Sequence, residues 1–197
     1  FNVPIHEKRD SYEIMDDERI RLSIPTIRKL IEGNNKIILI SHLGRPERWD
    51  DSLILRPIAR RLAKYLPKTK ITMIDDFTSD GARHHLEDQK GGDIIFLENI
   101  RFFPEEDKPD PDEGKAFAEK LASLGDIFVN DAFGVSHRDC VSVTSLPKLL
   151  PHYGGLLLER EVETIGHVLK HAKHPMCAII GGAKISTKLN LLYKLTE

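Results

Sequence analysis

The stretch KIILISHLGRPER, Lys36 to Arg48, decides the fold class. Ile37 to Ile40 is a β-branched and leucine run, short enough for a strand buried on both faces. Polar chemistry begins directly after it, with Ser41, His42, Leu43, Gly44 and Arg45. Gly44 permits a tight turn that most residues resist, and Pro46 stops the ladder from continuing. A buried strand that delivers a histidine and an arginine at its carboxyl end fits a ligand site in an open parallel sheet. A basic turn with no ligand fits this one stretch equally well, and the recurrence of the arrangement elsewhere separates the two.

Toward the amino terminus, Asn2 to Ile5 reads as the exit from a strand stopped by Pro4, and residues 6–17 as a polar loop or hairpin. From Asp17, Ile20, Ile24, Ile27 and Ile31 recur at helical spacing, and Gly33-Asn34 close the helix. Pro25 inside it predicts a kink or a late start. Arg19 sits in the first turn, against the macrodipole, which marks it for a role elsewhere.

Toward the carboxyl terminus, strand and helix alternate. A helix is predicted over 53–66, a strand over Ile71–Ile74, a helix over 79–90 and a strand over Ile94–Leu97. An acidic, proline-bearing, solvated loop at 104–113 precedes a helix over 114–124 and a strand over Ile127–Val129. Residues 145–153 read as a short helix or turn, and 156–173 as a long helix. A last strand, Cys177–Ile180, leads into Gly181-Gly182-Ala183-Lys184, with Ser186 and Thr187 as caps for a final helix. Such alternation predicts an α/β domain, a parallel sheet with helices on both faces in a Rossmann-like three-layer sandwich, the first of two domains. Pro147 to Gly155 is the expected end of that domain. The expected division is 1–155, a connecting helix over 156–173, and the start of a second domain over 174–197. Phe1 in place of methionine, and a last segment that stops within a helical pattern, predict a fragment at both ends, lacking its first strand.

Four strands thus end in anion-friendly groups: His42 and Arg45, Arg101, His137 and Arg138, and Gly181-Gly182 with Lys184. In a parallel sheet all carboxyl ends share one edge, and Arg19 can reach it from the first helix. Several guanidinium forks at one place imply a ligand with multiple negative charges, phosphate or carboxylate. Asn2 and Asn99 are polar neighbours of that edge or ordinary turn asparagines. Glu98 and Asp131 are better read as backbone caps or arginine partners than as bases. GGAK lacks the spacing of the Walker motif. Two glycines before a helix amino terminus still make a phosphate cradle, with Lys184 and Lys188 four apart.

Composition narrows the partners. Hydrophobic residues make up 40% of 197, enough for one sizeable core or one and part of another, and the net charge is only −2. No global field favours nucleic acid or membrane. No apolar run approaches the roughly 18 residues of a membrane span. Cys140 and Cys177 are far apart without a CxxC pattern, which points to a reducing, cytoplasmic setting. His167 and His171, four apart on a helix, lack an accompanying zinc motif and read as a solvated face. No nucleophile elbow or triad is found. Phosphoryl transfer needs neither, since alignment and cancellation of spreading charge suffice.

FNVP, DDERIRLSIPTI, SHLGRP, LENIRF, DAFGVSHR and GGAKISTKL, in this order, resemble phosphoglycerate kinase over nearly the whole chain. The resemblance implies glycolytic phosphoryl transfer between 1,3-bisphosphoglycerate and ADP, giving 3-phosphoglycerate and ATP. It implies Mg2+ held with the nucleotide mainly by a domain beyond this chain, and a monomer. By resemblance, Phe1, Asn2, Arg19, His42, Leu43, Gly44, Arg45, Arg101 and Arg138 bind the glycerate substrate. Gly181, Gly182, Lys184 and Lys188 bind nucleotide, and Arg19 and Lys188 act on the phosphoryl in flight. Cys140 stands where the family usually has a second histidine, and Ser145 where it has glycine. On this reading the chain alone binds glycerate weakly and turns over little. The alternatives are a non-catalytic phosphoanion-binding module and, last, a dinucleotide-binding domain, which lacks its G-x-G-x-x-G.

Overall fold

The computed structural model describes residues 2–8, 11–109 and 112–171, together with 177, 179 and 193. By its contacts the chain separates into two compact units, Phe1–Leu158 and Glu159–Glu197.

The first unit is built around β5 (Ile94–Leu97), whose four residues are all buried. β5 pairs in parallel with β3 (Ile37–Leu39) on one side and β4 (Ile71–Ile74) on the other, with Ile94 level with Ile37 and with Ile71. Successive side chains of a strand point to opposite faces, and β5 shows the consequence. Ile94 and Phe96 enter one core with Ile20, Ile24, Ile58 and Leu62. Ile95 and Leu97 enter a second with Phe117, Leu121, Val141 and Leu146. Helices α1 (Glu18–Glu32) and α2 (Arg56–Tyr65) therefore cover one face. Helices α3 (Asp80–Glu87) and α4 (Glu113–Ala122) cover the other. This is the three-layer α/β architecture that the alternation implies.

Several local expectations change. Residues 5–14 form a hairpin, β1 (Ile5–Lys8) paired antiparallel with β2 (Ser11–Ile14), so Ile5 begins a strand instead of ending one. α1 runs through Pro25 with no late start. Pro25 lies on the exposed face, where solvent can satisfy the carbonyl that its missing N–H leaves unpaired. Gly33 and Asn34 do close α1, Gly33 as its cap and Asn34 in the left-handed region at φ 57°. The acidic 104–113 segment is not simply a solvated loop. It begins with a 3-10 turn, Pro104–Asp107, in which Glu106 is buried.

The largest correction concerns β6 (Phe128–Asn130). Among the described residues it pairs with none of the central strands. Its parallel partner is β7 (His152–Gly154), in the segment expected to be a turn. Three exposed residues after a proline carry no apolar alternation, so nothing in their pattern announces a strand. The long helix is α5, Leu156–His171. Leu156 N–H donates to Thr26 Oγ1 at 3.0 Å, and the N–H groups of Leu157 and Leu158 donate to Asp131 Oδ1 at 2.9 and 3.2 Å. Asp131 is therefore a helix cap.

Candidate functional site

The exits of β3 and β5 are wired together. Ile100 N–H donates to Ser41 C=O at 3.1 Å. Asn99 is fully buried, and its carboxamide serves both segments. Nδ2 donates to Leu43 C=O at 2.8 Å and Leu53 C=O at 2.9 Å, while Oδ1 accepts from Leu43 N–H at 3.2 Å and Arg101 N–H at 3.3 Å. An ordinary turn asparagine would face solvent. This one fixes the backbone that presents His42 and Arg45. Glu98, also buried, accepts from Leu55 N–H at 2.6 Å and Asn99 N–H at 2.8 Å through one oxygen. Burial pushes its carboxyl pKa up, against those bonds. It caps backbone, as its sequence position suggests.

Gly44 sits at φ 64°, and a Cβ there would lie 2.7 Å from Leu53 Cδ2. The turn needs glycine both for its dihedral and for its space. Gly44 N–H donates to Asn2 Oδ1 at 3.4 Å, and Gly44 C=O accepts from Arg101 Nη1. Asn2 C=O in turn accepts from Arg19 Nη1. Asn2, Leu43, Gly44, Arg101 and Arg19 therefore form one connected chain of bonds. Asn2, Leu43 and Gly44 also share the wall of a cavity of about 330 Å³, at the small end of the range for ligand pockets.

The cationic groups feel one another. Burial, with repulsion from Arg101 and then from Arg138 and Arg19, pushes the His42 imidazole down to about 3. Burial also lowers Arg101, reinforced by repulsion from Arg138 and Arg45. His42 thus shares three arginine neighbours, and Arg45 joins through Arg101. Among the described residues, Arg138 Nε is buried without a hydrogen-bond partner. Like charges gathered in a partly buried place oppose folding unless a counter-charge arrives. Arg19 and Arg45 are exposed; Arg101, Arg138 and His42 are half-buried. His137 is exposed.

A phosphoglycerate kinase family profile matches residues 1–197. The chain belongs to the phosphoglycerate kinase family. It is 43% identical over 196 residues to a phosphoglycerate kinase of Gloeobacter violaceus, covering 99% of this chain and 46% of that one. Similarity to the Aquifex aeolicus phosphoglycerate kinase is 41% identity over 99% of this chain and 47% of the relative. Among solved structures, phosphoglycerate kinase from Pyrococcus horikoshii superposes with a TM-score of 0.86 at 31% identity, covering 98% of this chain and 48% of that one. The chain spans about half the length of the curated relatives it matches.

Of the residues that the family resemblance nominates, Asn2, Arg19, His42, Leu43, Gly44, Arg45, Arg101 and Arg138 fall within this connected region. Phe1, Gly181, Gly182, Lys184 and Lys188 lie outside the described residues, as do Ser186 and Thr187. Sequence reading missed Glu106. Its two oxygens accept from Ser142 Oγ at 2.5 Å and Ser142 N–H at 3.0 Å, bracing the segment just after Arg138. Burial raises the Glu106 carboxyl and, with Glu106 beside it, pushes the Cys140 thiol up to about 12. An acidic run offers no signal of which carboxylate turns inward.

Proposed function

We propose that this chain carries the glycerate-binding half of a phosphoglycerate kinase. That enzyme transfers a phosphoryl group between 1,3-bisphosphoglycerate and ADP, giving 3-phosphoglycerate and ATP. Family membership supports the reaction. One observation carries the assignment of the half: His42 is held neutral by burial and by Arg101, Arg138 and Arg19 around it. A cluster of that kind suits a substrate with a phosphate at one end and a carboxylate at the other. Arginine forks grip such groups bidentately, and neutral His42 adds a hydrogen bond without further repulsion. Asn2, Leu43 and Gly44 line the adjoining cavity, and Arg45 and Phe1 are proposed to bind the same substrate.

Arg19 is proposed as the group that stabilises the moving phosphoryl. One guanidinium nitrogen is anchored on Asn2 C=O. The others remain for charge that spreads over the transferring oxygens. Gly181, Gly182, Lys184 and Lys188 are proposed to hold nucleotide, with Lys188 acting beside Arg19. On this reading residues 1–155 bind glycerate, 156–173 connect, and 174–197 open the nucleotide-binding part. ADP and ATP would bring Mg2+. Among the described residues no group of three His, Cys, Asp or Glu side chains is placed to hold a metal ion. A cytoplasmic monomer is the accompanying expectation. Among the described residues, no helix is long and apolar enough to cross a membrane.

Calorimetric titration of the chain with 3-phosphoglycerate tests the proposal. Binding is expected in the wild type, weakened by about tenfold or more in Arg101→Ala and in Arg138→Ala, since each removes a charge-assisted bond. A wild-type chain that takes up no heat of binding at millimolar ligand refutes it. In a full-length enzyme, Arg19→Ala is expected to lower kcat far more than it raises the glycerate KM.

A further inference from the structure

Trp49 is the only tryptophan and is 52% exposed, an unusual place for so large an apolar ring. It is not loosely held. Its centroid lies 4.5 Å from that of Phe102 with the planes 32° apart, and its Nε1–H donates to Asp51 Oδ1 at 2.7 Å. The ring is thus oriented from one side and packed from the other.

The two partners stand where the cationic site is assembled. Phe102 directly follows Arg101, and Trp49 lies four residues after Arg45. The loop between Gly44 and Leu53 is pinned at its beginning by Asn99 to Leu43 and by Arg101 to Gly44. It is pinned at its end by Asn99 to Leu53, and by Asp50 Oδ1 accepting from Ser52 N–H at 2.9 Å and Ser52 Oγ at 2.6 Å. Between those anchors lies Arg45, which is exposed and repelled by Arg101. Among the described residues it has no hydrogen bond or ion pair to hold it. Among the described residues, the Trp49–Phe102 stack ties this middle stretch to the Arg101 turn.

We propose that Trp49 is a positioning residue of the glycerate site: its stack on Phe102 holds the 45–50 loop over the Arg101 turn and keeps Arg45 poised against Arg101 before the anion arrives. The inference rests on the glycerate-binding reading above. Pre-organisation of this kind lowers the ordering cost of binding. An aromatic pair contributes enough to change affinity by about three- to tenfold.

The test is calorimetric titration of the chain with 3-phosphoglycerate, read together with Trp49 emission. Trp49→Ala is expected to weaken binding by about three- to tenfold with little change in the unfolding midpoint. Trp49→Phe should restore most of it, because the stack returns. Phe102→Leu should give a comparable loss, and the Trp49→Ala, Phe102→Leu double variant should lose no more than either single one. In the wild type, Trp49 emission should change saturably with the calorimetric midpoint. Equal affinity in the wild type and Trp49→Ala overturns the inference, as does emission that ignores a ligand calorimetry records. If wild type and Arg101→Ala both fail to bind, the glycerate-binding reading falls first and this inference with it.

Discussion

At the scale of single residues, His42 links the electrostatics of the site to pH. Its imidazole takes a proton near pH 6.5 in the unfolded chain and only at about 3 in the fold. Between those values the unfolded state binds more protons. Stability from this residue is therefore fully present above about pH 6.5 and is lost as the pH falls toward 3, by at most about 1.4 kcal/mol per pH unit. Urea midpoints measured across that window should fall less steeply in His42→Gln than in the wild type. Glu98 has the opposite sign. Its folded pKa is raised by burial, so its contribution is full below the ordinary carboxylate value and is lost as pH rises through the raised one. Glu98→Gln should thus be neutral or stabilising at pH 7, because an amide oxygen still accepts both N–H groups. Glu98→Ala strands the N–H groups of Leu55 and Asn99 and should cost about 1–3 kcal/mol for each, measured by urea unfolding. Its capping role was legible in the sequence. The burial of Asn99 was not, because a polar residue after a strand reads the same whether the chain turns outward or folds back over it.

At the scale of elements, the parallel strands were legible where they are apolar runs. Ile71–Ile74 and Ile94–Leu97 have the bounds that their composition implies. β7 was not, since its pairing with β6 depends on where the backbone arrives and not on side-chain pattern. The start of α5 is likewise a tertiary matter. Asp131, at the exit of β6, caps its first turn from 26 residues upstream. Asp131→Ala should cost about 1 kcal/mol, the usual value of a helix cap, measured as a lower unfolding midpoint. Gly155→Ala should cost at least as much, because its Cβ would lie 2.2 Å from Asp131 Oδ1 and displace the cap.

At the scale of the molecule, two cores share one strand, and the carboxyl ends of β3 and β5 open beside both. The two thiols report on this packing separately. Cys140 is buried and pushed up to about 12, whereas Cys177 is exposed. A thiol reagent at neutral pH should modify Cys177 rapidly and Cys140 only as fast as the fold opens. Two equally fast thiols would show that the Glu106–Ser142 brace is not closed. By itself, the amino-acid sequence determined the layered α/β class, the residues that follow each apolar strand, and the family, because alternation and ordered motifs are properties of the chain taken in line. Only the tertiary structure decided that Arg19, Arg101 and Arg138 surround His42 with Arg45 beside Arg101, that Asn99 and Glu98 brace the backbone there, and that Trp49 leans on Phe102. Those outcomes depend on strand order and depth, and segments more than 40 residues apart meet only when β3 lies against β5.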